Sequence, residues 1–326
     1  MHYSFCTYFD SNYACLGISL YHSLKKHCKE FELYVCCLDD RIFNILTELN
    51  LSGMILFKLS DVEVYDPEFA ESKNNRTIVE YYFTLSPVLP RFLFSQYPDI
   101  KTLTYLDSDL YFFSSPDPVF EEFGDSSLSL INHRFPADLL WREKYGKYNL
   151  AFQIYRNDSN TAECLAWWRE KCIEWCYDRV EKSRFADQKY LEEWGRHFKG
   201  VYELKYPGIN IAPWNWSNCK IDISDSNLPK VNENKLIFYH YQGVRVLGRH
   251  FLFHNQGSYG KVMPKNQLKF FYGKYFKALK EAEKMLRQSK NYDGLSMMSN
   301  NRRGGYGYGL LRSYLSALKN KNLMLV

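Results

Sequence analysis

The stretch Lys101-Thr102-Leu103-Thr104-Tyr105-Leu106-Asp107-Ser108-Asp109-Leu110 decides how the rest of the chain is read. Residues 101–106 are apolar and β-prone, and the run ends in two carboxylates two residues apart. Aspartate is depleted in strands, so its place here needs a reason. A spacing of two at a strand's end points both carboxylates roughly the same way. Two hard oxygen donors suit Mg²⁺ or Mn²⁺, ions that share their sites with phosphate oxygens. A departing nucleoside diphosphate gathers charge as its bond to carbon breaks, and such an ion steadies it. The plainer reading is an aspartate that caps the following turn.

Before this stretch, strand-like and helix-like segments alternate. Residues 3–8, 32–38 and 54–59 read as strands, and 13–28 and 41–49 as helices with one apolar face. A helix over 80–96 contains Pro87 and Pro90, which must start or kink it. A further strand follows at 127–132. Strands separated by helices of this length predict an α/β fold, a mostly parallel sheet flanked by helices. In such sheets ligands bind beyond the carboxyl ends of the strands. From about residue 149 the pattern loosens: a strand over 148–156, helices over 160–179 and 187–194, and strands over 201–204 and 236–239.

The chain has 326 residues, 46% hydrophobic and 17% aromatic, which excludes a disordered protein and leaves room for one large or two ordinary domains. Its net charge of +5 hides an asymmetry. Residues 251–326 carry 14 Lys+Arg against 3 Asp+Glu, a net +11, so residues 1–250 hold 28 against 34, a net −6. A mildly acidic body is a poor fit to nucleic-acid binding. We therefore divide the chain into a body, 1–250, and a basic, helical C-terminal extension, 251–326. Within the extension Leu268, Phe271, Tyr275, Leu279, Ala282 and Leu286 mark one helical face, with Lys277, Lys280, Lys284 and Arg287 nearly opposite. Such a helix either packs on its own domain or lies on an anionic membrane. A second apolar stretch (Leu310, Leu311, Tyr314, Leu315, Leu318) keeps the membrane reading open, and 299–309 reads as a linker. The nine cysteines form no paired zinc pattern and are expected to be buried, reduced thiols. With no secretory signal and no 18-residue apolar run, the expected location is cytoplasmic, with the inner face of the membrane as a peripheral site.

Five short motifs in order resemble the GT-A nucleotide-sugar glycosyltransferases, closest to family 8 (glycogenin and the lipopolysaccharide galactosyltransferases). Thr7-Tyr8-Phe9-Asp10-Ser11-Asn12-Tyr13 matches the first strand-to-helix turn, which contacts the base and ribose of a UDP-sugar. Leu106–Leu110 matches the metal motif. Tyr148-Asn149-Leu150-Ala151-Phe152 resembles the segment beside the donor sugar, with Ala151 where the family has glycine. Ala186-Asp187-Gln188 resembles the Asp-Gln pair at the reacting carbon. His240-Tyr241-Gln242-Gly243 matches the motif whose histidine is the third metal ligand. The family's diphosphate-gripping lysine falls at Val246, leaving Arg245, Arg249 or Arg91 for that task.

The resemblance implies a metal-dependent transferase moving a sugar from a nucleotide-sugar, a UDP-sugar by preference, to a glycan or lipid-linked acceptor hydroxyl in surface-glycan synthesis, with retention. Asp107, Asp109 and His240 would hold Mn²⁺ or Mg²⁺. Thr7, Tyr8, Asp10, Asn12, Tyr13, Asn149 and Arg245 would seat the donor, and Gln188 and Asp187 would serve the reacting carbon. The loop 207–216, where Asn210 and Asn215 flank Pro213-Trp214, reads either as a border of the acceptor or as an ordinary packing corner, and His133-Arg134 points toward the same cleft without an assigned role. Two alternatives compete: a nucleotidyltransferase, and a sugar-nucleotide-binding scaffold without turnover. The first calls for a Gly-rich basic segment after strand one, where this chain has Tyr-Phe-Asp-Ser-Asn-Tyr.

Overall fold

His2–Phe9 forms β1, whose alternate side chains serve two cores. Phe5 and Phe9 enter one, while Cys6 and Tyr8 face the other. The structure, a computed structural model, describes residues 2–247, 251–294, 317–319 and 321–325. Asp10 ends β1 by accepting hydrogen bonds from the backbone N–H groups of Asn12 and Tyr13, which turns the chain into α1 (Ala14–His27). A Cβ at Gly17 would sit 2.4 Å from the Phe9 ring, so only glycine lets α1 press this closely on the strand's end.

Next come β2 (Glu30–Cys37), α2 (Asp40–Leu49), β3 (Met54–Lys58), α3 (Leu59–Tyr65), α4 (Pro67–Ser72) and α5 (Ile78–Gln96). Then follow β4 (Thr102–Leu106), β5 (Leu110–Phe112), α6 (Asp117–Phe123), β6 (Leu128–Asn132), β7 (Tyr148–Asn149) and β8 (Phe152–Arg156). After these come α7 (Ser159–Glu174), α8 (Trp194–His197) and β9 (Val201–Leu204). The eight-stranded sheet runs β3-β2-β1-β4-β8-β6-β7, with β9 paired to β6. Strands β1 to β4 are mutually parallel, whereas β8 is antiparallel to β4 and β7 to β6. This is the expected mostly parallel sheet with helices packed on it.

Smaller sheets complete the described chain. β10 (Ile221–Asp222), β11 (Lys230–Val231) and β12 (Asn234–Lys235) form one. β13 (Phe238–His240) pairs antiparallel with β5. β14 (Arg245–Leu247), β15 (Phe251–Phe253) and β16 (Leu323–Leu325) form another, so residue 250 falls between two strands of one sheet. Helix α9 (Lys265–Leu286) lies between β15 and β16 in sequence.

Helix α9 buries Phe271, Tyr275, Leu279, Ala282 and Leu286 in the same core as Ile18 and Leu24 of α1. Its apolar face is therefore taken by the protein itself, while Lys277, Lys284 and Arg287 are exposed. The linker expected over 299–309 and most of the second apolar stretch lie outside the described residues. All nine cysteines are free thiols and eight are buried, as expected of small apolar packers.

Four elements depart from the sequence reading in more than an end residue or two. Neither proline starts α5: Thr77 and Glu80 form a capping box before Ile78, and the helix runs on through Pro87 and Pro90. Buried Leu85, Val88, Leu89 and Leu93 supply the packing that offsets the lost backbone bonds. Helix α7 ends at Glu174 rather than 179, because the Arg76 guanidinium takes the free carbonyls of Cys172 and Ile173 at 3.3 and 3.0 Å. The expected strand over 148–156 is broken at Leu150–Ala151, where the Ala151 N–H turns to the Asn149 side chain (3.3 Å). The helix expected over 187–194 is a 3₁₀ turn, Gln188–Glu193, followed by α8.

Candidate active site

Asp107 and Asp109 occupy the tight turn from β4 into β5, closed by the Leu110 N–H donating to the Asp107 carbonyl at 3.2 Å. The Asp107 N–H donates to the Ala151 carbonyl at 2.9 Å, so the break between β7 and β8 anchors this turn. Strand β13 then pairs His240 with Leu110, and the Tyr241 N–H donates to the Asp109 carbonyl at 3.0 Å. That register, not sequence proximity, carries His240 to the two carboxylates. One ligand atom from each of Asp107, Asp109 and His240 lies within 4.8 Å of the others. His240 Nε2 is 3.1 Å from Asp109 Oδ1 and 3.8 Å from Asp107 Oδ2.

The electrostatics of this cluster are strained. Burial, then the negative charge of Asp109, pushes the Asp107 carboxyl up to about 6, against the opposing effects of His240 and a Tyr105 hydrogen bond. Burial alone would lower the His240 pKa, but Asp109 and Asp107 outweigh it and raise it. Two carboxylate oxygens and an imidazole nitrogen converge on one point, and a divalent cation there would relieve the repulsion between the aspartates. Hard oxygens with one imidazole fit Mn²⁺ well. Tyr105 donates its hydroxyl to Asp107 Oδ1 at 2.8 Å, which leaves Oδ2 toward His240.

A second group stands beside the first. The Tyr8 and Tyr105 rings are 5.5 Å apart, and burial, then Asp187 and Asp107, raise the Tyr8 hydroxyl. Asp187 is 4% exposed; its carboxylate accepts from Ser86 on α5 at 2.6 Å, and its carbonyl accepts from Trp168 Nε1 at 3.0 Å. Burial pushes its carboxyl up to about 7, with Asp107 adding to the shift and Ser86 opposing it. Ala186 just before it holds φ at +47°, a strained conformation for a non-glycine residue. Gln188 donates its amide to the Tyr145 carbonyl at 3.1 Å.

The remaining expected residues spread around this centre. Thr7 is fully buried and faces away from Tyr8, its hydroxyl having no partner among the described residues. Asp10 and Asn12 join through a 3.0 Å side-chain bond at the mouth of α1, and Tyr13 is 46% exposed. Arg245 lies over the Phe253 ring at 4.3 Å and within electrostatic reach of Tyr13. Arg91 lies within electrostatic reach of Asp66, and Arg249 is outside the described residues. Gly243 closes the His240 turn at φ +73°, where a Cβ would strike Asn255.

Buried Asn149 donates to His133 Nε2 at 3.3 Å, and His133 Nδ1 donates to the Lys147 carbonyl at 3.1 Å. Burial holds the His133 pKa down to about 4, so the ring is neutral. The His133 carbonyl accepts from Trp214 and Asn215, both at 2.8 Å, and the Trp214 ring meets His240 edge-on at 5.2 Å. Sequence reasoning left His133 without a role and the loop as an acceptor border or a packing corner; the structure packs the loop on His133 and sets its Trp214 against His240. It also missed Ser86 and Tyr259. The Tyr259 hydroxyl donates to Gln242 at 2.9 Å, and burial, opposed by Arg142 and aided by Asp109, raises it to about 12.

The sheet, with this cluster beyond the end of β4, is that of the GT-A fold. The glycosyltransferase GlyE of Streptococcus pneumoniae TIGR4 shares it, with a TM-score of 0.52 and 13% identity over 88% of this chain and 63% of that one. The chain belongs to the family of the uncharacterized protein YfnD of Bacillus subtilis, to which it is 36% identical over 225 residues, 68% of this chain and 71% of the relative. The uncharacterized protein YfnF of the same organism is 27% identical over 252 residues, 75% of this chain and 82% of that one. No family model matches the chain.

Proposed function

We propose that the chain is a metal-dependent glycosyltransferase that moves a sugar from a UDP-sugar to an acceptor hydroxyl, with retention, in surface-glycan synthesis. The observation that carries this reading is the meeting of Asp107, Asp109 and His240, the last 131 residues beyond Asp109, at the ligand-binding end of a GT-A sheet. Asp107, Asp109 and His240 hold Mn²⁺ or Mg²⁺, which when bound neutralises the diphosphate leaving group. Tyr8, Asp10, Asn12 and Tyr13 seat the nucleotide from the end of β1, with Thr7 buried beneath them, while Asn149 borders the donor sugar and Arg245 approaches the phosphates.

Gln188 steadies the positive charge that develops on the reacting carbon. Asp187 acts beside it from within. Its carboxylate is turned to Ser86 and nearly closed off from solvent, which is a poor posture for the exposed base that inversion requires. Retention, with the leaving phosphate taking the acceptor's proton, needs no such base. The basic extension completes the proposal: with its apolar face packed, the exposed lysines of α9 touch an anionic membrane or lipid-linked acceptor from outside.

A thermal-shift panel of UDP-, GDP-, CDP- and dTDP-sugars, with and without Mn²⁺, tests this. Stabilisation by a UDP-sugar that requires the metal, with slow hydrolysis of that donor, is the expected outcome. Metal-dependent stabilisation without any hydrolysis indicates the scaffold, and stabilisation by another nucleotide corrects the donor.

A further inference from the structure

The segment Ala137–Tyr145 carries the most exposed tryptophan-bearing surface in the described chain, and the reaction proposed above gives it no task. Trp141 is 55% exposed and Leu140 50%. The segment is nonetheless held firmly on both sides. The Tyr145 carbonyl accepts from Gln188, and the Glu143 carbonyl accepts from Lys189 at 3.1 Å. On the other side Arg142 donates to the Ser258 carbonyl at 2.9 Å, and Lys261 pairs with Asp138 at 3.1 Å. A rigid bridge thus spans from the Asp187-Gln188 side of the site to its His240 side.

Ring contacts tie Trp141 to the metal-ligand cluster. Trp214 meets His240 at 5.2 Å and Tyr259 at 5.9 Å. The Arg142 guanidinium lies 4.5 Å from the Tyr259 ring and 4.7 Å from the Trp141 ring. The exposed Lys144 amine lies 4.9 Å from the Trp141 ring. An exposed indole on a rigid rim, a few ring contacts from a transfer centre, offers an apolar face to a sugar ring. The two cations beside it add charge complementarity for an anion on that sugar.

We propose that Trp141, with Arg142 and Lys144, is an acceptor subsite that stacks a sugar ring bearing a phosphate ester or a carboxylate. It rests on the transferase reading and names the acceptor class for the same site. Arg142 is fixed by Ser258 and Tyr259, whereas Lys144 is free to leave the indole and meet the anion. A membrane contact is the weaker use of this surface. Its apolar area is two side chains, with Asp138 and Glu143 in the same segment to repel anionic lipid, where interfacial anchors present a broad apolar face.

The test titrates the full chain with three kinds of probe, each sugar probe in the gluco, galacto and manno series. They are neutral methyl glycosides, their 6-phosphate, octyl 1-phosphate and uronate counterparts, and phosphatidylglycerol-containing vesicles. Anionic sugars bind about tenfold more tightly than neutral ones. Trp141→Ala weakens every sugar about tenfold, and Lys144→Gln removes only the anionic preference. Which anionic series binds best separates lipid-linked phosphate, sugar phosphate and uronate acceptors. UDP-sugar hydrolysis without acceptor is unchanged in both variants. Its absence from the wild type would sink the transferase reading while leaving the binding result standing. No sugar binding by the wild type, or equal binding by Trp141→Ala, overturns the subsite. Vesicle binding lost in Trp141→Ala with sugar binding intact assigns the surface to membrane instead.

Discussion

Tyr105 decides which oxygen of Asp107 is free for a cation, because its hydroxyl occupies Oδ1. Partners of this kind orient a ligand and raise its affinity, and their loss costs 10- to 100-fold. Tyr105→Phe should therefore weaken Mn²⁺ binding by about tenfold in calorimetry, while the folded state survives. An unchanged affinity would remove Tyr105 from that role. Asp187 allows a separate test. Its folded pKa of about 7 lies above the ordinary carboxylate value of an unfolded chain, so folding takes up a proton between the two. The stabilisation is complete below about pH 4 and is lost as pH rises through about 7. Relative to Asp187→Asn, the wild type should lose up to about 4 kcal/mol between those limits in denaturant titrations. Parallel curves would show that Asp187 stays ionised in the fold. Asp107 and Asp109 stand out in the sequence because carboxylates ending an apolar strand are locally conspicuous, whereas His240 was reached only through its resemblance to the family's motif. Tyr105 and Ser86 carry no such mark in the sequence, since only folding shows what their hydroxyls touch.

Strand β13 shows the same limit in a longer element. Its apolar run marks a strand, yet nothing in the run states that it pairs with β5 in the register that brings His240 to Asp109. Some ends are set by chemistry that lies beside them in the chain, as with Asp10 before α1 and Asp39 before α2. Others are set by distant groups that the local sequence does not show: α7 stops where Arg76, from before α5, takes its last carbonyls. Helix α9 lies between these cases, because its spacing predicted the buried face but not that α1 would cover it. Leu279, 1% exposed in that contact, is the test. Leu279→Ala should cost about 2–5 kcal/mol of stability in urea unfolding. A cost below about 0.5 kcal/mol would mean that α9 is not part of the core.

For the whole molecule, the division of charge matters more than its sum. The acidic body holds the aspartates of the candidate cation site, and the +11 extension adds a helix to the core while leaving Lys277, Lys284 and Arg287 exposed. Among the described residues no helix is long and apolar enough to cross a membrane. If those lysines meet anionic lipid, replacing Lys277, Lys284 and Arg287 by Gln weakens vesicle binding at low salt and leaves the melting temperature nearly unchanged. Equal binding by both proteins would end the membrane proposal. The fold and the candidate cation site were legible as a whole because five short motifs occur in order along one sheet. The packing of the loop 207–216 on His240 was not, because these segments meet only in three dimensions. The most direct test is the release of UDP from a UDP-sugar by the wild type and by Asp109→Asn, each with Mn²⁺ and with a chelator. Release by the wild type that needs the metal and falls by orders of magnitude in Asp109→Asn is the expected result; release that ignores both the chelator and the substitution would contradict the assignment.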